Sequence, residues 1–379
     1  MKNSSWKPTR RSLVQAAAIV PFAAVAGSAA NAAVKVGLLG AGGRGSSLTR
    51  YMRSNTRGQL VALADIQDSQ IEKAKKRIPY TDLKVYKDYN EMLASDIDAV
   101  IIATPVFKHA EHFEAAVKAG KHIYIEKPAA GTIADCKRIM RAADSAGSKI
   151  NITFGFQRRY APVYQRAKKL IDSGAVGKIN YAHAHFIKNL GAQLAMGPAP
   201  KPTTELERVQ NWKYWRETFG GAIVETFVHS VDALNMFMGG HPRSAYGSGG
   251  RNVMKIGDLL DHVDVSFNYA DGLDASLTAS FIASPKYRDV NEIYFCDNGT
   301  IETAQEYWIH YRNGVNDYKK EDSPRNIGID AVVSFIDRVA DGKLENSGVR
   351  GAESTLSAIM GQMAIDQKRE VTWDEVIRS

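Results

Sequence analysis

The sequence of 379 residues has little cysteine: Cys136 and Cys296 are its only two. Their spacing suggests no metal site, and we expect both to be small buried hydrophobic side chains. His183 and His185 share one face of a predicted strand, but no third ligand is visible, so substrate contact or sheet packing is favoured over a metal pair. Clusters of Lys and Arg that alternate with aromatic residues are also missing. The sequence therefore predicts neither a metal nor a nucleic acid as partner.

Residues 1–33 contain no aspartate or glutamate. After a basic start, the apolar run Leu13 to Ala26 leads to the small-residue pattern Ala30-Asn31-Ala32, an order typical of a secretory signal peptide. The pair Arg10-Arg11 resembles a twin-arginine signal, which exports folded proteins. An ordinary secretory signal with a chance arginine pair is the alternative. Because the apolar run is too short for a permanent membrane anchor, we expect residues 1–32 to be a signal peptide and the protein to be periplasmic.

The four basic residues of this leader supply half of the formal net charge of +8. The remaining chain is therefore only mildly basic. It is longer than one hydrophobic core usually serves, so we expect two domains.

An apolar strand, Val34 to Leu39, runs directly into the pattern G-x-G-x-x-G. In this pattern Gly40 permits a tight turn, Gly42 lets the backbone approach a pyrophosphate, and Gly45 lets the next helix pack closely on the sheet. The free N–H groups at the start of that helix attract the anion. The sequence therefore predicts a dinucleotide site.

A second apolar run, Leu60 to Ala64, ends on Asp65. A carboxylate at this strand tip holds the ribose 2′-hydroxyl of NAD and repels the 2′-phosphate of NADP, so we expect NAD as the cofactor. The alternative is that Asp65 only caps a helix. Because free dinucleotide is scarce outside the cytoplasm, an exported protein must load the cofactor before export. We therefore expect it to be tightly bound.

Between residues 34 and 154, predicted strands alternate with amphipathic helices. Strands such as Ala99 to Ala103 are continuous apolar runs, typical of a parallel sheet covered on both faces. The pattern predicts an α/β Rossmann domain with a doubly wound parallel sheet over residues 33–155. Its strands are expected at 34–39, 59–64, 83–86, 98–103, 122–125 and 150–154.

Few helices separate the strand-like segments after Gly155, so residues 156–379 are expected to form an α+β domain with a large, mostly antiparallel, open sheet. Such sheet faces often pair between subunits, and we expect a homo-oligomer, a dimer or a tetramer. Residues 191–207 are predicted to be a loop. Helices are expected at 162–173, 326–341 and 350–379. Strands are expected at 178–188, 244–249, 261–270, 272–282 and 290–296.

Lys127 follows the fifth predicted strand, at the sheet edge where such domains bind ligands. Pro128 restricts its backbone. An ammonium group there could hydrogen-bond a substrate hydroxyl or, with a lowered pKa, act as a general base. The alternative is a solvated lysine paired with Glu126.

A helix predicted over Ala222 to Met238 places Glu225, His229, Asp232 and Met236 along one stripe. The stripe either lines a cleft or is solvated. An imidazole titrates near neutrality, and a carboxylate one turn away could orient it, so Glu225 and His229 suit proton transfer.

These motifs resemble the glucose-fructose oxidoreductase, inositol dehydrogenase and MocA (Gfo/Idh/MocA) family over essentially the whole chain after the leader. The Glu-Lys-Pro motif at 126–128 is highly specific in this setting. The other matching segments are Gly40 to Gly45, Asp65, Asp98 to Pro105 with His109, Ala119 to Pro128, Arg158 to Tyr160, Ser173 to Lys178, Trp215-Arg216, Gly220-Gly221 and His229 with Asp232.

In that family the lysine of the motif contacts nicotinamide ribose and substrate, and a helix after Gly-Gly carries an Asp and, four residues on, a His that transfer protons. The resemblance therefore implies catalytic roles for Lys127 and His229. Glu225 stands at the position of the Asp, and Phe227 stands where a Gly is frequent. Both departures are expected to change the shape of the pocket.

The resemblance also implies the binding residues. Arg159, Tyr160, His229 and Asp232 are expected at the substrate. Trp215 and Arg216 are expected to close over the cofactor, although a packed aromatic cluster at 212–216 is equally consistent with the sequence. The remaining implied cofactor contacts are Gly40, Gly42, Gly43, Arg44, Gly45, Asp65, Thr104, Pro105, His109, Glu126 and Lys127.

These features together predict an exported NAD-dependent oxidoreductase that acts on a ring hydroxyl or keto group of a sugar or glycoside, with tightly bound NAD recycled on the enzyme. The alternative is an NAD-dependent glycosidase that works by transient oxidation, elimination and hydration. A third possibility is a non-catalytic binding protein.

Overall fold

The computed structural model describes residues 33–78, 82–189 and 201–379. The predicted signal peptide and residues 191–200 of the predicted loop thus lie outside the described residues. None of the described helices combines the length and apolar character needed to cross a bilayer.

The first sheet is parallel and has six strands, which run in the sequence order 3-2-1-4-5-6. They are β1 (Val34–Leu39), β2 (Gly58–Ala64), β3 (Lys84–Tyr86), β4 (Ala99–Ile102), β5 (His122–Ile125) and β6 (Ile152–Phe154). All four residues of β4 and of β5 are buried, as expected for strands covered on both faces. The predicted doubly wound Rossmann sheet is confirmed.

Twelve α-helices occur in the described part of the chain. They are α1 (Gly43–Asn55), α2 (Asp68–Arg77), α3 (Tyr89–Leu93), α4 (His109–Lys118), α5 (Ile133–Ala146), α6 (Pro162–Asp172), α7 (Glu205–Asn211), α8 (Arg216–Phe219), α9 (Val228–Met238), α10 (Ile327–Asp341), α11 (Gly348–Gln367) and α12 (Trp373–Arg378). Short 3₁₀ turns occupy Val106–Lys108, Gln157–Tyr160 and Ala270–Gly272.

The two faces of the first sheet are covered by helices from both ends of the chain. Helices α4 and α5 pack together on one side, and α5 also packs against α11. On the other side α1 packs against α10, and the Phe335 ring of α10 lies 5.7 Å from the Tyr124 ring of β5. Helix α10, far along the sequence, thus completes the core of the N-terminal sheet.

The second sheet has nine strands and is mostly antiparallel, as predicted. Its strands are β7 (Ile179–Lys188), β8 (Ser244–Gly250), β9 (His262–Asn268), β10 (Asp274–Ser280), β11 (Arg288–Cys296), β12 (Gly299–Ala304), β13 (Tyr307–Tyr311), β14 (Tyr318–Asp322) and β15 (Val371–Thr372). The order across the sheet is β14-β13-β12-β11-β7-β10-β9-β8-β15, with β7 and β10 parallel.

Two C-terminal features differ from the sequence prediction. Strands β12, β13 and β14, at one edge of the sheet, were not predicted. Charged residues there, such as those of Tyr318–Asp322, interrupt the alternation of apolar and polar residues that indicates a strand. Residues 350–379 are not continuously helical, because α11 ends at Lys368, which has a positive φ of 52°. The short strand β15 and helix α12 follow it.

The predicted loop 191–207 is wrong from Glu205 onward, where α7 begins. Thr204 and Glu207 form a capping box at its start, a helix signal that the sequence carries.

The helix predicted over Ala222 to Met238 is present, but it is not a regular α-helix throughout. Ile223–Phe227 form a π-helical turn, and the regular helix α9 begins only at Val228. The carbonyl oxygen of Glu225 accepts a hydrogen bond from the Lys127 ammonium. A partner from the other sheet thus binds a backbone group in this turn. Such turns are frequent at functional sites.

Candidate active site

The glycine loop after β1 has the geometry of an anion cradle. Gly40 has a φ of +97°, and a Cβ atom there would lie 2.7 Å from the carbonyl oxygen of Ala103. A Cβ on Gly45 would collide with the carbonyl oxygen of Gly40. By contrast, Gly42 and Gly43 face open space, and α1 begins at Gly43. Phosphates can therefore approach the backbone at the start of a 13-residue helix.

A cavity of about 530 Å³ extends from this loop. Asp65 lines it, and its carboxylate accepts hydrogen bonds of 2.8 Å from the backbone N–H groups of Ala41 and Gln67. Asp65 therefore holds the glycine loop as well as offering a carboxylate to the cavity. Thr104, Pro105 and Arg44 also line it. This arrangement fits a dinucleotide.

Residues after the predicted loop form one wall of the cavity. Glu205 forms a 2.6 Å ion pair with Lys108, and the Arg208 guanidinium lies 5.0 Å from the centre of the Phe107 ring. The sequence prediction missed these contacts, since it treated this segment as a loop. The cavity residues contributed by this side are Glu205, Val209, Gln210, Trp212, Lys213 and Tyr214.

Trp215 and Arg216, expected over the cofactor, are not among the residues that line the cavity. Arg216 pairs with Asp366 of α11, and its backbone N–H donates to Asp258. The Trp215 indole nitrogen is buried and has no hydrogen-bond partner in the part of the chain that the structure describes. Trp212, Lys213 and Tyr214, the three residues before Trp215, line the cavity instead.

Lys127 and Glu225 meet directly. The ammonium group of Lys127 donates to Glu225 Oε1 at 2.8 Å and to its backbone carbonyl. The backbone before Glu225 packs closely against the backbone after Lys127. A Cβ atom on Gly220 (φ +84°) would lie only 3.0 Å from Gly131 Cα. Lys127 therefore pairs with the carboxylate of Glu225 and not with that of Glu126.

Glu225 is ionised in this arrangement. Burial alone raises the pKa of its carboxyl, but the charge and hydrogen bond of Lys127 bring that pKa below its usual range. Thr226 Oγ1 donates to the other oxygen at 2.7 Å. No hydrogen bond joins Glu225 to His229 among the described residues, and the carboxylate instead binds Lys127 and Thr226.

His229 is held as a neutral imidazole. Burial and then the positive charges of Lys127, Arg158, Arg44 and Lys188 lower its pKa well below 6.5. Its Nδ1 atom is buried without a hydrogen-bond partner among the described residues. A neutral ring with free hydrogen-bonding capacity can accept a proton at neutral pH.

Phe227 does not reshape the pocket directly. Its side chain is fully buried, with ring centres 5.5 Å from Phe186 and 4.7 Å from Phe281. The ring instead anchors the π-helical turn on the second sheet.

Asp232 and Arg159, both expected at the substrate, form an ion pair with each other. Arg159 Nε donates to both carboxylate oxygens of Asp232, at 2.8 and 3.0 Å, and Ser354 Oγ donates to Oδ1 at 2.7 Å. Tyr160 is 9% exposed. These residues link the turn after β6 to α9 and α11, and Met236 is half-buried on the same helix.

Two further contacts support the loop that carries Lys127. Arg44 Nε donates to Glu126 Oε1 at 2.8 Å. The two ring nitrogens of His109 lie 2.8 Å from the carbonyl oxygen of Pro128 and 2.9 Å from that of Thr104. Of these predicted cofactor residues, His109 and Glu126 thus brace the loop.

A buried ion pair that the sequence analysis did not anticipate lies beside this cluster. Arg158, on the turn after β6, pairs with Glu292 of β11, and both are almost fully buried. Glu292 also accepts hydrogen bonds from Tyr164, Ser230 and Thr303.

The paired histidines lie on the outer face of the second sheet. His183 and His185 contact each other, and their Nδ1 atoms lie 2.7 Å from Ser276 Oγ and Asp289 Oδ2 respectively. Cys136 is buried and Cys296 is half-buried. Across residues 33–78, 82–189 and 201–379, no three His, Cys, Asp or Glu side chains form a group that could hold a metal ion.

Comparison with known proteins agrees with this architecture. A family model described as "Oxidoreductase family, NAD-binding Rossmann fold" matches residues 34–154, and one described as "GFO/IDH/MocA C-terminal domain" matches residues 164–302. Inositol 2-dehydrogenase of Acidothermus cellulolyticus is 29% identical over 281 residues, which cover 73% of this chain and 75% of that protein.

Two other similar proteins carry different names. The 2,7-anhydro-N-acetylneuraminate hydratase of Mediterraneibacter gnavus is 27% identical over 63% of this chain and 59% of its own length. A solved levoglucosan dehydrogenase in complex with NADH and levoglucosan shares the fold, with a TM-score of 0.75, 18% identity and coverage of 89% of this chain and 99% of that chain. Both halves of the chain match one family, and this protein therefore belongs to the Gfo/Idh/MocA family, with an NAD-binding Rossmann domain.

Proposed function

We propose that the protein is an NAD-dependent dehydrogenase that oxidises a ring hydroxyl of a sugar, polyol or glycoside, or reduces the corresponding ketone. The observation that carries this proposal is the cluster of Lys127, Glu225 and a neutral His229. It lies at the carboxyl end of β5, the edge at which such sheets bind ligands. Relatives named inositol 2-dehydrogenase support a polyol or sugar as substrate.

In the oxidative direction, His229 accepts the proton of the substrate hydroxyl. Lys127 donates a hydrogen bond to the same oxygen and stabilises the negative charge that develops on it. Glu225 orients the Lys127 ammonium group. The glycine loop and Asp65 would hold NAD, which would supply the hydride acceptor for the carbon that bears this oxygen. The C–H bond breaks to release the hydride, the O–H bond breaks to release the proton, and a C=O bond forms.

We also propose that the protein is exported with its cofactor and recycles it in place. The twin-arginine-type leader and the dinucleotide site support this proposal together. Glu205 contacts Lys108 and Arg208 contacts Phe107, so α7 is joined to the 3₁₀ turn after β4. These contacts beside the cavity favour slow release of NAD.

A second candidate is redox-neutral cleavage or hydration of a glycosidic or anhydro bond through transient oxidation. The similar protein named as a hydratase favours this candidate. Elimination, however, needs a general acid, and a carboxyl group serves in that role when its pKa is raised. Glu225 has a lowered pKa, so we place this candidate second.

One experiment separates these activities. The purified mature protein is denatured to release any dinucleotide, and intact protein is incubated with glycosides while both free sugar and keto-sugar are measured. The dehydrogenase proposal predicts bound NAD and keto-sugar. Free sugar without keto-sugar would support the second candidate, and a lack of bound or bindable dinucleotide would contradict both.

A further inference from the structure

Lys188 is the last residue of β7, at the end of the second sheet that approaches the Lys127 cluster. It is half-buried, and its ammonium group lies 4.8 Å from the centre of the Phe186 ring. That ring packs on Phe227 in the π-helical turn that also carries Glu225. The side chain is therefore held near the proposed catalytic groups.

Four other cations near this cluster each pair with a carboxylate. Arg44 pairs with Glu126, Lys127 with Glu225, Arg158 with Glu292 and Arg159 with Asp232. Lys188 forms no ion pair with any described carboxylate. Lys188 thus carries a positive charge that no carboxylate of the described residues neutralises.

The electrostatic surroundings of Lys188 agree with its lack of a carboxylate partner. Burial and the charges of Arg288, Lys127 and Arg158 lower its pKa to about 8, and the charge of Glu225 opposes this shift. A half-buried cation without a partner is costly, and an anion that binds beside it removes that cost. The positive charge of oxidised nicotinamide would add to the local positive charge when NAD binds.

We propose that Lys188 binds a carboxylate group of the substrate, so that the natural substrate is a sugar acid rather than a neutral sugar. This inference rests on the proposed function, because it assigns the substrate class of the same site. A substrate carboxylate on Lys188 leaves Lys127 and His229 for the reacting hydroxyl.

The test compares methyl β-D-glucuronide with methyl β-D-glucoside, which differ only in the carboxylate. We expect the glucuronide to bind the intact NAD-loaded protein at least about 10-fold more tightly by calorimetry. The same preference should appear in kcat/KM, followed by nicotinamide absorbance. Lys188→Met should abolish the preference, mainly through KM. Lys343→Met, which removes an exposed lysine, should retain it.

The pH dependence adds a readout that a purely structural role would not change. Because deprotonation removes the charge of Lys188, kcat/KM for the glucuronide should fall above about pH 8. Lys188→Arg should keep the preference and lose this alkaline decline, since arginine stays charged.

Two results overturn the inference: equal binding of the two glycosides, or a glucuronide preference that survives in Lys188→Met. Tighter binding of glucose 6-phosphate than of the glucuronide, lost in Lys188→Met, would replace the carboxylate by a phosphate. Preferential glucuronide binding without any nicotinamide signal would leave the Lys188 site standing and contradict the proposed function.

Discussion

At the residue scale, the chemistry depends on the state of His229. We predict that His229→Ala lowers kcat by about 10²- to 10⁴-fold, because the proposed proton acceptor is lost. His241→Ala is the control, since its ring stacks on Trp373 outside the cluster. Steady-state kinetics with unchanged NAD content checks the effect. Equal activity of the two variants would contradict the role of His229.

The pH profile of the oxidation provides a related prediction. Burial and the charges of Lys127, Arg158, Arg44 and Lys188 hold the pKa of His229 well below 6.5. A base must be unprotonated to act, so kcat/KM should stay constant as the pH falls from 7 to 6.5 and decline only below that range. A decline centred at or above pH 6.5 would show that the imidazole is not shielded in this way.

We expect Asp65 to determine which dinucleotide binds. Asp65→Asn removes the negative charge that repels a 2′-phosphate, so the preference for NAD over NADP should fall by about 10-fold or more. Titration of cofactor-free protein with NADH and NADPH measures this change. Since Asp65 also accepts the N–H groups of Ala41 and Gln67, a small loss of stability should accompany it. Unchanged preference would assign Asp65 to loop structure alone.

The residues that sequence patterns identified best are those whose role is local. The glycine loop and Asp65 follow directly from their spacing after two apolar strands, and the structure places them around one cavity. Pairings between distant segments were not predictable. Lys127 with Glu225, and Arg158 with Glu292, depend on how two sheets meet, and no short pattern encodes that distance.

At the scale of elements, apolar periodicity located the buried strands well. The predicted strands 34–39 and 122–125 coincide with β1 and β5. It did not identify β12 to β14, which lie at the edge of the second sheet. It also did not distinguish the π-helical turn, where Lys127 binds the Glu225 carbonyl, from a regular helix.

Helix α7 is predicted to retard cofactor release. In Glu205→Gln the ion pair with Lys108 is lost, and we expect NAD to dissociate about 3- to 10-fold faster, the effect of an ion-pair contribution near 1 kcal/mol. Glu114→Gln is the matched control, because Glu114 forms a 2.6 Å ion pair with Arg138 of α5 and neither residue lines the cavity. Stopped-flow displacement of NADH measures the rates. Identical rates would mean that α7 does not retain the cofactor.

At the scale of the whole molecule, α10 joins the two halves. Phe335 is fully buried beneath the first sheet, and Phe335→Ala should lower the free energy of unfolding by about 3–5 kcal/mol. Because the ring packs on Tyr124 of β5, NAD binding should weaken in parallel. Thermal and urea unfolding with and without NAD test this. A loss below 1 kcal/mol would show that the helix is dispensable to that core.

The outer face of the second sheet exposes aromatic residues such as Tyr181, Tyr246 and Phe295. The predicted dimer or tetramer stays a prediction, and sedimentation of the purified protein would decide it.

The position of α10 also constrains the order of events during synthesis. A ribosome translates β1 to β6 long before α10, so one face of the nascent Rossmann sheet stays uncovered until most of the chain has been made. The dinucleotide site should therefore mature only after translation of the last helices. A C-terminally truncated chain that ends before Asn326 is thus expected to aggregate or to be degraded rather than to accumulate as a cofactor-binding fragment.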